Sequence, residues 1–95
     1  MATASEAREW ARNSLRGIGD SLYTPFSGID GDDIDWDAYR TLVRYCVGDL
    51  AHPMLWVTSG VAEFWSLTIP ERKRLLETAI EEARAVNPDV VIQSC

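Results

Sequence analysis

The sequence predicts an α/β fold: the first three parallel strands of a (β/α)8 TIM barrel with their helices. Three observations carry that reading. Short β-prone or apolar runs recur at residues 21–24, 54–58 and 90–92. The stretches between them repeat apolar residues every three or four positions, the period of an amphipathic helix. The resulting strand spacing is that of one β–α crossover unit, and such units join parallel strands by right-handed connections. A doubly wound, flavodoxin-like open sheet shares this alternation. It would put helices on both faces of the sheet, whereas a barrel keeps them on one.

The elements follow in order. Thr3-Ala4-Ser5-Glu6 has the form of a capping box, in which a hydroxyl and a carboxylate satisfy the first free amides of a helix. That helix should cover roughly 4–16, with Ala7, Trp10, Ala11 and Leu15 on one stripe, until Gly17 and Gly19 break it. Residues 1–16 read as a helical extension and 17–95 as the barrel segment. Ser21-Leu22-Tyr23-Thr24 is the first strand, stopped by Pro25, which has no amide for a ladder. Residues 26–34 are a loop rich in Gly, Asp and Ser.

Asp35 is placed to cap the next helix. Trp36, Tyr39, Leu42, Val43, Cys46, Val47 and Leu50 form its stripe, the strongest periodic signal in the chain, and Pro53 ends the connection. Met54–Thr58 is a continuous apolar run, expected to be buried on both faces as in a parallel sheet. Residues 59–66 read as a loop. Thr68-Ile69-Pro70-Glu71 is a second capping box, with Pro where its missing amide costs nothing. Leu75, Leu76, Ala79, Ile80, Ala83 and Val86 form the apolar face that follows. Asn87-Pro88 stop that helix, and Val90–Ile92 are the third strand.

Length and composition narrow the function. The chain has 95 residues, and a domain of that size buries only about 60% of its unfolded surface. Four Trp, three Tyr and two Phe suit a larger core than this chain can build alone. Closing on Ile92-Gln93-Ser94-Cys95, an apolar strand with nothing after it to cover a second face, the chain is expected to be part of a longer protein. A net charge of −6 opposes binding to nucleic acid or to an anionic membrane surface. With no long apolar run and no signal peptide, a cytoplasmic location is expected. Two widely spaced cysteines are no disulfide framework, and Cys46 reads as a buried thiol.

Three stretches read together carry a resemblance: Ser-Leu-Tyr-Thr-Pro-Phe at 21–26, Asp30-Gly31 through Asp35, and Glu63-Phe64-Trp65-Ser66-Leu67-Thr68 leading to Glu71-Arg72. The sequence resembles the N-terminal third of the dihydrodipicolinate synthase and N-acetylneuraminate lyase family over about residues 17–95. The resemblance implies a (β/α) barrel with class I aldolase-type chemistry, in which a lysine forms a Schiff base with pyruvate or another 2-oxo acid and a tyrosine relays protons. A buried amine attacks the ketone, and the iminium formed is the electron sink. The family's lysine lies on a later strand, and its relay tyrosine also comes later in the chain.

Lys73 is the only lysine here, in Glu-Arg-Lys-Arg at a helix start, and reads as a solvated side chain. No catalytic residue is therefore assigned, and the chain alone is expected to be inactive. Tyr39 and Tyr45 read as helix packing, and Tyr23 likewise does not inherit the relay role. What the segment can contribute is the loop after its second strand, since loops at the carboxyl ends of barrel strands line the active site. In one register Glu63 matches the family glutamate, and Ser59, Gly60, Val61 and Ala62 precede it. Gly60 and Val61 then replace two threonines, leaving backbone amides to bind an anion. A shifted register brings Thr58 and Ser59 forward as donors. The candidate substrate-binding set is Thr58, Ser59, Gly60, Val61 and Glu63, for the carboxylate of a 2-oxo acid.

No cofactor is implied, and the full-length protein is expected to be a homo-oligomer. His52 lacks partners at metal-ligand spacing. Asp30, Asp32, Asp33, Asp35 and Asp37 lack the EF-hand frame and read as loop and helix cap. Gly17-Ile18-Gly19-Asp20 is expected to precede a strand and is no dinucleotide fingerprint. The alternative to the lyase reading is a non-catalytic remnant that works by protein association through uncovered strand edges.

Overall fold

Residues 2–28, 31 and 33–94 are described by a computed structural model. In chain order the elements are α1 (Ala4–Ser14), β1 (Gly19–Ser21), β2 (Phe26–Ser27), β3 (Asp33–Ile34), α2 (Trp36–Arg44), β4 (Met54–Val57), α3 (Ile69–Val86) and β5 (Val91–Ser94). A π-helical segment, Tyr45–Asp49, prolongs α2, and two 3-10 turns, Gly60–Ala62 and Phe64–Ser66, lie between β4 and α3.

β1, β4 and β5 make a parallel sheet in that spatial order, with Gly19 beside Met54 and Met54 beside Val91. Sequential neighbours joined by helices are the barrel arrangement. Helices α2 and α3 pack on each other, with Arg40 and Arg44 each reaching Glu82, at 3.6 and 3.7 Å. Both helices therefore cover one face of the sheet, which excludes the doubly wound alternative for these strands. The core lies between them: Leu22, Val43, Val47, Leu55, Val57, Leu75, Ala79, Ala83 and Val90 are all buried.

Each helix starts where its cap dictates. The Thr3 hydroxyl accepts from the Glu6 amide, and the Asp35 carboxylate accepts from the Ala38 amide at 3.0 Å. At Thr68 the box is complete: its hydroxyl accepts from the Glu71 amide at 3.2 Å, and its own amide donates to the Glu71 carboxylate at 2.8 Å. Hydrogen bonding to the carboxylate, first from the Thr68 backbone amide and then from its side chain, holds the Glu71 carboxyl below the usual carboxylate range.

Several expectations are corrected. The first strand is Gly19–Ser21 rather than 21–24, although Leu22 still donates to the Trp56 carbonyl. Gly19 thus begins the strand, beside Met54, rather than breaking the chain ahead of it. Residues 26–34 are not only loop, because Phe26 pairs with Ile34 and Ser27 with Asp33 in an antiparallel hairpin. Residues 59–66 are coiled into two 3-10 turns rather than open loop. The third strand begins at Val91 and runs to Ser94.

Met54–Val57 is not buried on both faces: Leu55 and Val57 are buried, but Trp56 is 44% exposed. Leu55 and Val57 belong to the core beneath the helices, while Trp56 stands on the other face between Ser21 and Gln93, all three exposed. The α2 stripe holds through Val47, but Leu50 and Tyr45 are exposed rather than packed. Ala51, in a left-handed conformation (φ 54°), ends that segment two residues before Pro53. Helix α1 has no buried residue, and Trp10 is 52% exposed. Among the described residues no helix is long and apolar enough to cross a membrane.

Candidate functional site

Parallel strands deliver their carboxyl ends to one rim of the sheet, and polar residues collect there. Beyond β1 the chain runs to Thr24, whose buried hydroxyl donates to the Ala62 carbonyl at 2.8 Å. Pro25 follows, fixing the exit, and its carbonyl accepts from the Asp35 amide. The first strand is thereby tied both to the turn after β4 and to the start of α2.

At the end of β4, Thr58 turns the chain through a left-handed conformation (φ 57°), a strained state for a β-branched residue. It is almost fully buried, and its hydroxyl lies 2.8 Å from that of Ser94 at the end of β5. Ser59 comes next. Its Oγ is buried and, among the described residues, has no hydrogen-bond partner. A buried orphan hydroxyl costs about 1–3 kcal/mol, so a fold that keeps one calls for an explanation.

Ser59 opens the Gly60–Ala62 turn without capping it through its side chain. The first amides of any helical turn have no partner within it, which leaves those of Gly60 and Val61 as free donors of that turn. Gly60 is exposed, with the Trp65 ring 4.0 Å from where a Cβ would stand. Val61 is exposed too. Glu63 adopts a left-handed conformation (φ 57°) at the joint between the two turns, and its side chain faces solvent. Arg72 braces the second turn, donating to the Leu67 carbonyl and lying over the Phe64 ring.

The five candidate residues thus share one rim. Thr58 is engaged with Ser94, Ser59 is unsatisfied, and Gly60, Val61 and Glu63 are open to solvent. The contributions of Thr24 and Ser94 were not legible as site features. Thr24 was visible only as part of a Thr-Pro motif, and its reach across to Ala62 depends on the sheet.

Other candidates lie elsewhere. Lys73 is exposed on α3. Tyr39 is buried and donates to the Leu75 carbonyl at 3.1 Å, whereas Tyr23 is exposed. Asp35 caps α2, Asp37 pairs with Arg40, and Asp33 lies in β3; Asp30 and Asp32 lie outside the described residues, as does Cys95. At the opposite, amino-terminal end of the sheet, the Asp20 carboxylate meets His52 Nδ1 and accepts from the Cys46 thiol. Burial first, and the Asp20 charge and hydrogen bond second, push that thiol up to about 11. A carboxylate standing between thiol and imidazole keeps the sulfur protonated, the reverse of an activated nucleophile. Among the described residues no group of three or more His, Cys, Asp or Glu could hold a metal ion.

No family model matches the chain, and no curated protein matches it. Solved structures do. Crystal form I of N-acetylneuraminate lyase from Mycoplasma synoviae superposes with a TM-score of 0.75 at 21% identity, over 86% of this chain and 27% of that one. Crystal form II gives a TM-score of 0.74 at 21% identity, over 86% and 26%. The chain therefore spans about a quarter of the length of these structures. The likeness extends over the helix–strand units described above and establishes the fold as a partial TIM barrel.

Proposed function

We propose that this chain is the N-terminal portion of a Schiff-base lyase or aldolase of the dihydrodipicolinate synthase and N-acetylneuraminate lyase family, acting on a pyruvate-type 2-oxo acid. Its part is to seat the substrate carboxylate. The observation that carries the reading is the buried, unpartnered Ser59 hydroxyl at the carboxyl end of β4. That end of a (β/α) barrel strand is where substrates bind.

An anion at this rim satisfies the hydroxyl and takes the amides of Gly60 and Val61 as further donors. Thr58, engaged by Ser94, sets the exit angle of the strand, and Glu63 holds the bend between the turns. Thr24 fixes the height of the loop through Ala62. The iminium-forming amine belongs to a later strand of the longer protein. Lys73, the only lysine here, stands exposed on α3, so the chain by itself forms no Schiff base. The full-length protein is expected to assemble as a homo-oligomer without a cofactor.

The test is a titration of the chain with pyruvate, followed by amide NMR. Saturating shifts at Gly60 and Val61, abolished by Ser59→Ala, are expected; an unresponsive loop overturns the assignment. Borohydride trapping with pyruvate should leave the mass unchanged. An adduct on Lys73 would refute the claim that the chain lacks the reactive amine.

A further inference from the structure

The free amides of Gly60 and Val61 at the carboxyl rim are bordered by apolar groups. A Cβ built at Gly60 would stand 4.0 Å from Cζ3 of Trp65, so the edge of the indole flanks the backbone of a residue that can donate. Within the Gly60–Ala62 turn, Ala62 is buried and Gly60 has no side chain, which leaves Val61 as the one side chain open to solvent. It is apolar too.

The Trp65 ring is held in place by its neighbours. Phe64 meets it edge to face, with ring centroids 5.3 Å apart and planes at 73°. Arg72 of α3 fixes Phe64 in turn. Its guanidinium lies 5.3 Å from that ring's centroid, and its Nε donates to the Leu67 carbonyl at 3.2 Å. The backbone around Trp65 is closed by the Ser66 amide on the Glu63 carbonyl, at 2.9 Å, and the Leu67 amide on the Phe64 carbonyl, at 3.1 Å. Each of these supports lies between Glu63 and Arg72, so the ring is positioned by this segment and not by the strands that complete a barrel.

Trp65 is nevertheless 64% exposed, and the fold gains little from burying it. An exposed ring is ordinary on a protein surface. What distinguishes Trp65 is its place, since Trp10 stands on α1 and Trp56 on β4, neither in the loop that carries the free donors. A ring fixed beside an anion seat is a wall for whatever the anion carries. An indole offers a face for stacking and a single N–H donor, with nothing to accept from hydroxyl groups.

We infer that Trp65 determines specificity at this rim, selecting 2-oxo acids whose third carbon carries an aromatic ring. The inference rests on the carboxylate seat proposed above. With the carboxylate on the Ser59 hydroxyl and the Gly60 and Val61 amides, the third carbon lies two bonds from the carboxylate carbon. Its substituent extends over the loop onto the indole. Stacking there raises affinity about two- to tenfold, the usual worth of an aromatic pair beyond its buried area.

Pyruvate and phenylpyruvate, titrated separately into the 95-residue chain and followed by NMR, test this. Both should shift the Gly60 and Val61 amides. Phenylpyruvate should bind up to about tenfold more tightly and move the Trp65 indole N–H signal, leaving those of Trp10 and Trp56 in place. Trp65→Ala should bring the two affinities within about twofold of each other, and Trp65→Phe should keep most of the preference. Equal affinities in the unaltered chain overturn the inference, as does a preference that survives Trp65→Ala. An aromatic acid that moves Trp10 or Trp56 instead of Trp65 overturns it as well. Those outcomes leave the carboxylate seat standing, whereas amides of Gly60 and Val61 silent toward both acids remove the seat and the inference together. The indole signals of the unaltered chain decide even if a variant fails to fold.

Discussion

The Thr24 hydroxyl, just past β1, donates to the carbonyl of Ala62, just past β4, at 2.8 Å in a buried setting. This bond fixes one strand's exit against the loop that follows its neighbour. Thr24→Val keeps the shape and removes the donor, leaving a buried carbonyl without a partner. The expected loss is about 1–3 kcal/mol. Thermal melting should show it, and amide exchange at residues 60–63 should quicken more than exchange in α3. Thr24→Ser should recover most of the loss.

Ser59→Ala is expected to act in the opposite sense on stability. Removing an unsatisfied buried hydroxyl relieves its desolvation cost, a gain of about 1 kcal/mol or more. Urea unfolding measures this directly. A destabilised variant would mean that the hydroxyl is already satisfied within the fold, and the case for an anion there would fail with it.

Alkaline pH should unfold the chain early. The Cys46 thiol, ordinarily near 9, is pushed up to about 11 by burial and by Asp20. The Tyr39 hydroxyl is also raised, by burial alone. An acid whose folded pKa is raised keeps its proton longer in the native state. Its stabilisation is therefore complete below the unfolded value and is lost as pH rises toward the folded one. Denaturation midpoints should fall between pH 9 and 11, with a shallower slope in Cys46→Ala. A flat profile over that window would contradict the burial described.

Thr68→Ala should cost about 1 kcal/mol, the usual effect of removing a helix cap. Acid has a related effect. Because the Glu71 carboxyl is held low by Thr68, its contribution is present above the ordinary carboxylate pKa of 4.5 and fades as pH falls below it. Helix content followed by circular dichroism from pH 7 to 3 should show this fraying in the unaltered chain. In Thr68→Ala the pH dependence should be weaker.

Periodicity made α2 and α3 legible, because one stripe of Tyr39, Val43, Cys46 and Val47 and another of Leu75, Ala79 and Ala83 all face the same core. The caps at Asp35 and Thr68 were legible because their chemistry is local. The first strand was misplaced since Gly19 and Asp20 have poor strand preference, and only pairing with Met54 and Leu55 makes them strand. The hairpin joining Phe26 to Ile34 was hidden in a stretch whose composition says turn. At the rim, the loop after β4 could be located from its motif. Its orphan hydroxyl, the Thr58–Ser94 pair and the Thr24 bond are meetings between distant segments, which no local pattern encodes.

The bare side of the sheet has a spectroscopic use. Of the four tryptophans, Trp56 alone sits on a strand, facing water between Ser21 and Gln93. Its indole is a built-in gauge of enclosure: emission should move to shorter wavelength when further strands or another polypeptide cover that side. With Trp10, Trp36 and Trp65 replaced by phenylalanine, one fluorophore would report how far the cylinder has closed.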